Sequence, residues 1–178
     1  MSPDVDAPKS EWRAWARTLP PVADEVAHRV AGHLRSTLAT IDGPVLGYEA
    51  LPDEVTVDVR IDGVAALDER RRLTIGDLDV DAIAAVLVPA RVFDRDGYRL
   101  GRGGGHYDRL LPRLRAGVPT IGVTCASRLV DRLPREPHDV PMTHLATETG
   151  VHPMNSTREQ SESERHFVEN EDGPELDS

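Results

Sequence analysis

Ile83-Ala84-Ala85-Val86-Leu87-Val88-Pro89 is an unbroken apolar run ending at a proline, and Phe93-Asp94-Arg95-Asp96-Gly97-Tyr98-Arg99-Leu100-Gly101-Arg102-Gly103-Gly104-Gly105-His106-Tyr107-Asp108-Arg109 follows closely. A short run of this composition reads as a strand buried on both faces, which is the habit of parallel sheets. In the second stretch, glycines without Cβ atoms let backbone N–H groups close on an anion, and a helix starting near Tyr107 turns its positive end to the same place. Arg99, Arg102 and Arg109 add fixed positive charge with fork geometry. Phosphate is the anion that fits.

The run is neither of the common phosphate fingerprints. No Gly-Lys-Ser or Gly-Lys-Thr follows the glycines, and the last glycine position of GxGxxG falls on His106. A hinge or tight connection remains the plain alternative, and the density of charged and aromatic residues favours a phosphate or nucleotide cradle. Asp94 is expected to order the loop by accepting backbone hydrogen bonds. Asp108 either caps the following helix or holds a magnesium ion beside bound phosphates. His106 and Tyr107 are candidates for a pocket wall.

Working outward, Val22, Val26, Val30, Leu34 and Leu38 recur at helical spacing, and a shorter helix is expected from about Lys9 to the Pro20-Pro21 pair. Trp12 and Trp15 would pack that first helix onto the sheet. Val45 to Tyr48 and Pro119 to Cys125 read as strands, and Leu145 to Thr147 as a last extended piece. A helix from about Tyr107 through Leu114 should be kinked or shortened by Pro112. Ala126 to Leu133 reads as a helix or turn. Residues 57–82 hold only fragments of alternation (Val57/Val59/Ile61, Leu73/Ile75) and no second buried strand is expected there. Glu54 is either a helix-start charge or a ligand contact. Strands alternating with helices imply an α/β fold with an open, mostly parallel sheet flanked by helices, whose ligands lie at the carboxyl ends of the strands.

Composition bounds the function. The chain has 178 residues and a formal net charge of −10. From Arg158 onward, eight acidic residues against two arginines account for −6 of it. A polar leader (1–7), one α/β domain (8–154) and an acidic disordered tail (155–178) are expected. An acidic chain is a poor nucleic-acid binder. The arginines at the glycine turn make a local positive site. Cys125 is the one cysteine, which excludes an internal disulfide and suits a reducing compartment; inside an apolar strand it reads as a buried small hydrophobe. His138 and His144 read as polar surface or loop residues. No stretch resembles a signal peptide or approaches the roughly 20 apolar residues of a membrane span, so a cytoplasmic monomer is expected. Lys9 is the one lysine against twenty arginines.

Val86 to Leu111 (VLVPARVFDRDGYRLGRGGGHYDRLL), with Ile121-Gly122-Val123 and Leu129 to Gly150, resembles the 5-formyltetrahydrofolate cyclo-ligase family, also called methenyltetrahydrofolate synthetase. The patterns LGxGGGxYDR (Leu100–Arg109) and LPxExHD (Leu133–Asp139) carry it, and the N-terminal Lys9, Trp12, Arg13 and Arg17 look like the family's opening basic helix. The resemblance implies an ATP site facing a reduced-folate site. It implies conversion of 5-formyltetrahydrofolate to 5,10-methenyltetrahydrofolate with ATP and Mg2+: the formyl oxygen takes the γ-phosphoryl group, N10 attacks that carbon, and phosphate leaves as the ring closes. Under it, Lys9, Arg13, Arg99, Gly101, Arg102, Gly103, Gly104, Gly105 and Arg109 look like ATP or phosphate contacts, with Lys9 and Arg99 also catalytic. Tyr48, Glu54 and Tyr107 look like folate contacts, and Asp108 like a magnesium ligand.

The chain departs from that pattern in two places. His106 stands where family members usually carry tyrosine. Between Thr56 and Ile83 the family's longer segment, with a Gly-Lys strand and a Gly-Ile-x-Glu-Pro-like loop, is missing; Gly63 and Ile75-Gly76 are faint stand-ins. One family strand and one wall of the pterin pocket are therefore expected to be absent. A non-catalytic nucleotide- or folate-binding paralogue is the alternative reading.

Overall fold

The elements follow one another as α1 (Lys9–Ala16), α2 (Asp24–Leu38), β1 (Val45–Tyr48), β2 (Ala65–Leu67), β3 (Ala85–Pro89), β4 (Val92–Asp94), β5 (Arg99–Leu100), α3 (His106–Leu110), β6 (Thr120–Val123), β7 (Leu129–Val130), β8 (His144–Thr147) and β9 (Gly150–Pro153). The structure is a computed structural model that describes residues 1–57, 65–67 and 79–154. The acidic tail, Gly63 and Ile75-Gly76 lie outside the described residues.

The main sheet has the order β2-β1-β3-β6-β8-β9. Every pairing in it is parallel except β8 with β9, a hairpin at the far edge. All five residues of β3 are buried, and their alternation feeds two cores. Ala85 and Leu87 face α2, where Val30, Leu34 and Leu38 of the apolar stripe pack. Val86 and Val88 face α3 and the turn after it, meeting Leu110 and Leu111. Burial on both faces is why this strand shows no polar alternation.

A second, three-stranded sheet (β5-β4-β7) lies beside the first. It corrects the reading of Phe93 to Arg109 as one continuous turn. The Asp94 carboxylate accepts the N–H groups of Asp96 (3.0 Å) and Tyr98 (2.9 Å), folding Asp94 to Gly97 into a tight hairpin turn, so Arg99 sits on a strand and only residues 101–105 remain as loop. Trp12 and Ala16 of α1 pack on this small sheet, against Val92, Leu100 and Leu133, and not on the main one. The leader is also tied down: the Trp12 indole N–H donates to the Asp4 carbonyl at 2.9 Å.

Three further expectations meet the structure differently. Ala65–Leu67 supplies a strand parallel to β1 inside the segment expected to hold none. Three residues are too few to show a period, so the strand is defined by its partner. The helix expected over Tyr107 to Leu114 begins one residue earlier and passes at Leu111 into a single 3-10 turn containing Pro112, which has no N–H to continue the α-helical bonding. Ala126–Arg128 is a 3-10 turn that runs directly into β7.

The two sheets are joined through Gly122 of β6. A Cβ built there would meet Phe93 Cε1 and Leu145 Cδ2, each at 2.6 Å. Phe93 is fully buried on that spot. Gly122→Ala is expected to destabilise the fold by about 1–3 kcal/mol through overpacking, read as a lower urea midpoint; an unchanged midpoint would mean that Phe93 moves freely.

Candidate functional site

At the carboxyl end of β3, Pro89 and Ala90 form the floor of a cavity of about 310 Å3. Its walls come from α1, the glycine loop, the start of α3, Glu54 of the loop after β1, and the 136–139 segment of the loop before β8. Sequence elements far apart meet here because parallel strands end on one edge and their connections must all cross it.

Arg99 projects from β5 and is almost wholly buried, bonded to the Asp108 carboxylate and donating to the Val140 carbonyl at 3.2 Å. Burial lowers its pKa from the ordinary value, with Asp108 and then Asp139 opposing that shift. A guanidinium stays charged throughout. Asp108 therefore faces Arg99 and does not cap α3; the N-cap is Gly105, in the left-handed region at φ 66° with no side-chain cap bond. Gly103 also has positive φ (95°), so the loop turns through conformations that L side chains avoid.

Lys9, at the start of α1, binds Glu136 at 2.8 Å and Asp139 at 2.7 Å. Its ammonium holds the Glu136 carboxyl below the usual range, chiefly through that hydrogen bond. Arg13 donates from Nε to the Gly101 carbonyl at 3.0 Å. Arg102 binds Asp53 and, at 3.1 Å, Glu54. Glu54 also accepts the Leu51 N–H at 3.0 Å, which closes a turn and starts no helix. Tyr107 and His106 line the cavity, and the Arg99 guanidinium stands 5.9 Å from the Tyr107 ring centre.

Two expected contacts are not on the cavity wall. Tyr48 is buried in the α2-side core with its hydroxyl donating to the Val55 carbonyl at 2.7 Å. Burial, and next the Glu54 charge, raise its pKa well above the ordinary value. It supports the Glu54 loop from below. Arg109 turns back along its own helix and donates to the Gly104 carbonyl at 3.3 Å; it holds the glycine loop from behind.

The local positive site expected from the arginines is also corrected. Among the described residues lining the cavity, Lys9, Arg13, Arg99 and Arg102 stand against Glu54, Asp108, Glu136 and Asp139. The cavity is charge-balanced, with alternating cations and carboxylates.

Sequence reasoning missed five residues that build this arrangement. Asp53 receives Arg91 at 2.9 Å as well as Arg102. Arg128, buried, donates to the Asp53 carbonyl and to the Pro20 carbonyl at 2.8 Å. Glu136 and Asp139 hold Lys9. The available signal was the acidic Glu136-Pro137-His138-Asp139 cluster, which needs a cation, in a chain with one lysine. His138, read as a surface residue, reaches the cavity with its Nε2 3.3 Å from Glu136. Ligand atoms of Glu136, His138 and Asp139 lie within 4.8 Å of one another.

These features define a class: an open α/β domain with its ligand cavity where the strands end, lined by a glycine loop and paired charges. The family model of the 5-formyltetrahydrofolate cyclo-ligase family matches residues 49–148, more than half the chain, and the protein belongs to that family. A 5-formyltetrahydrofolate cyclo-ligase of Mycolicibacterium smegmatis is 50% identical over 74 residues, covering 42% of this chain and 36% of that protein. One from Escherichia coli K12 is 36% identical over 86 residues, covering 48% of this chain and 44% of that protein. The matches thus span less than half of either relative. In fold, the chain is similar to a 5,10-methenyltetrahydrofolate synthetase from Mycoplasma pneumoniae (TM-score 0.63, 22% identity, 79% of this chain and 96% of that one). It is equally similar to the Aquifex aeolicus 5,10-methenyltetrahydrofolate synthetase (TM-score 0.61, 22% identity, 96% of each chain).

The β5 and 136–139 side of the cavity rim depends on Asp94, which is fully buried and accepts four donors, including the Leu133 N–H at 3.1 Å and Arg135 at 3.2 Å. Asp94→Ala leaves those donors without their carboxylate and is expected to cost about 3–5 kcal/mol, measured by urea denaturation; a loss under 1 kcal/mol would contradict this role.

Proposed function

We propose that this protein catalyses the ATP-dependent cyclisation of 5-formyltetrahydrofolate to 5,10-methenyltetrahydrofolate, as a cytoplasmic monomer. The observation that carries the reading is one cavity, at the strand ends, with the glycine loop and the Arg99–Asp108 pair on one wall and Glu54 on another. Family membership supports the same reaction.

The roles follow from position and charge. Backbone N–H groups of residues 101–105, with Lys9 and Arg13, cradle the triphosphate. Arg99, held in orientation by Asp108 and the Val140 carbonyl, neutralises charge on the phosphoryl group as it passes to the formyl oxygen. Glu54 and Tyr107 orient the pterin so that N10 reaches the activated carbon, where proximity alone lowers the barrier. No covalent bond to the protein is required.

The carboxylates fit magnesium. Asp108, Glu136 and Asp139 are hard oxygen donors on the cavity wall. A balanced cavity cannot accept a triphosphate without a companion cation, and magnesium would supply the missing positive charge. Among the described residues, no helix is long and apolar enough to cross a membrane.

Incubation with ATP, magnesium and 5-formyltetrahydrofolate is expected to produce the methenyltetrahydrofolate absorbance band. Arg99→Ala should lower kcat/KM for ATP about 10- to 150-fold, the equivalent of one charge-assisted hydrogen bond. ATP binding without ring closure or folate-dependent ADP release would instead assign the protein as a non-catalytic paralogue.

A further inference from the structure

Arg102 bridges the two walls of the cavity. It lies in the glycine loop, yet its guanidinium is turned across to Asp53 and Glu54. The Glu54 side chain beneath it is only 4% exposed, whereas Arg102 is 30% exposed. As held here, the arginine covers the carboxylate that the folate reading needs. Three features make this contact one that opens. First, Arg102 is the least buried of the cavity's carboxylate-bound cations, against 14% for Lys9 and 7% for Arg99. It therefore gains least from its present partners and loses least on leaving them. Second, a Cβ built at Gly101 meets nothing within 4 Å and one at Gly103 meets only Arg13, at 3.9 Å, so the backbone on both sides of Arg102 has room to turn. Third, the Asp53-Glu54 loop has anchors of its own: Arg91 on the Asp53 carboxylate, Arg128 on its carbonyl, and the Leu51–Glu54 turn bond. Releasing Arg102 leaves that loop where it is.

We propose that Arg102 is a partner-switching residue: it clasps Asp53 and Glu54 while the cavity is empty, and a polyphosphate seated on the glycine loop draws it away, uncovering Glu54 for the second ligand. The proposal rests on the nucleotide reading above and adds an order to it. The anion binds first, because only the anion offers Arg102 a better partner than two carboxylates. The Glu54 carboxylate then becomes available to the pterin on the same event, so the two ligands bind cooperatively through one side chain.

Inorganic tripolyphosphate with excess magnesium, titrated calorimetrically into the full chain and its variants, tests the clasp without any folate. Asp53→Asn removes one of the two carboxylates that hold Arg102 and should tighten tripolyphosphate binding about two- to fivefold, while Arg102→Met should weaken it by a similar factor. In the double variant, Asp53→Asn should have no further effect, because a clasp needs both partners. Equal tightening by Asp53→Asn with and without Arg102 would reduce the effect to general charge removal and overturn the proposal. So would an Asp53→Asn protein that binds like the wild type. Tripolyphosphate bound by none of the proteins would remove the nucleotide reading and the clasp together. In the wild-type chain, the Arg102 Nε–Hε resonance should move on tripolyphosphate addition while that of Arg128 stays; an unmoved Arg102 signal in a protein that binds the anion would also overturn the switch.

Discussion

One buried carboxylate holds this site together. Asp94 has no exposed surface, and its two oxygens gather the turn between β4 and β5, the Leu133 amide and the Arg135 guanidinium. The turn puts Arg99 on a strand, where burial and Asp108 fix its direction. The bonds at Leu133 and Arg135 bring the following Glu136 to Asp139 segment back over α1, where Lys9 waits. A charge buried this deeply is tolerable only when fully satisfied. Arg135 completes the arrangement by stacking 4.0 Å from the Tyr98 ring centre while also binding Asp96. Every polar wall of the cavity on this side descends from that one acid.

The charge balance of the cavity has a physical reason. Cations gathered without counter-charges would repel one another and would have to be held apart by a rigid frame. Interleaved with Glu54, Asp108, Glu136 and Asp139, they are instead drawn into fixed directions. Preorganisation of this kind aims donors before a ligand arrives and saves reorganisation later.

Much of this architecture was legible in the sequence, and the limits are instructive. The apolar run ending at Pro89, the stripe from Val22 to Leu38 and the break at Pro112 carry their structure in local pattern; the strand begins at Ala85, the helix at Asp24, and the helix before Pro112 is shortened as expected. Asp94 could be assigned to loop ordering because an aspartate ahead of a glycine turn has few other uses. The two-residue strands β5 and β7 carry no period, and their existence depends on partners in β4. Lys9 meets Glu136 and Asp139 across 127 and 130 positions, a distance at which no local pattern speaks. The direction of Arg102 is likewise a tertiary fact: its neighbours in sequence suggest the phosphate loop, and its neighbours in space are Asp53 and Glu54. Tyr48 lies off the cavity wall for the opposite reason, since a strand residue with a polar tip finds its partner, the Val55 carbonyl, within the core.

The scarcity of lysine gives the molecule an unusual chemical map. Its one side-chain amine stands in the cavity, largely buried and clamped between two carboxylates. Acylation, methylation or Schiff-base formation at lysine therefore has a single address in this chain, and that address is the site itself. No lysine modification can decorate the surface and leave the cavity untouched. The guanidinium groups that carry the rest of the positive charge form no Schiff bases and, staying protonated, do not acylate as an amine does. For this protein, lysine chemistry and occupancy of the site are one and the same question.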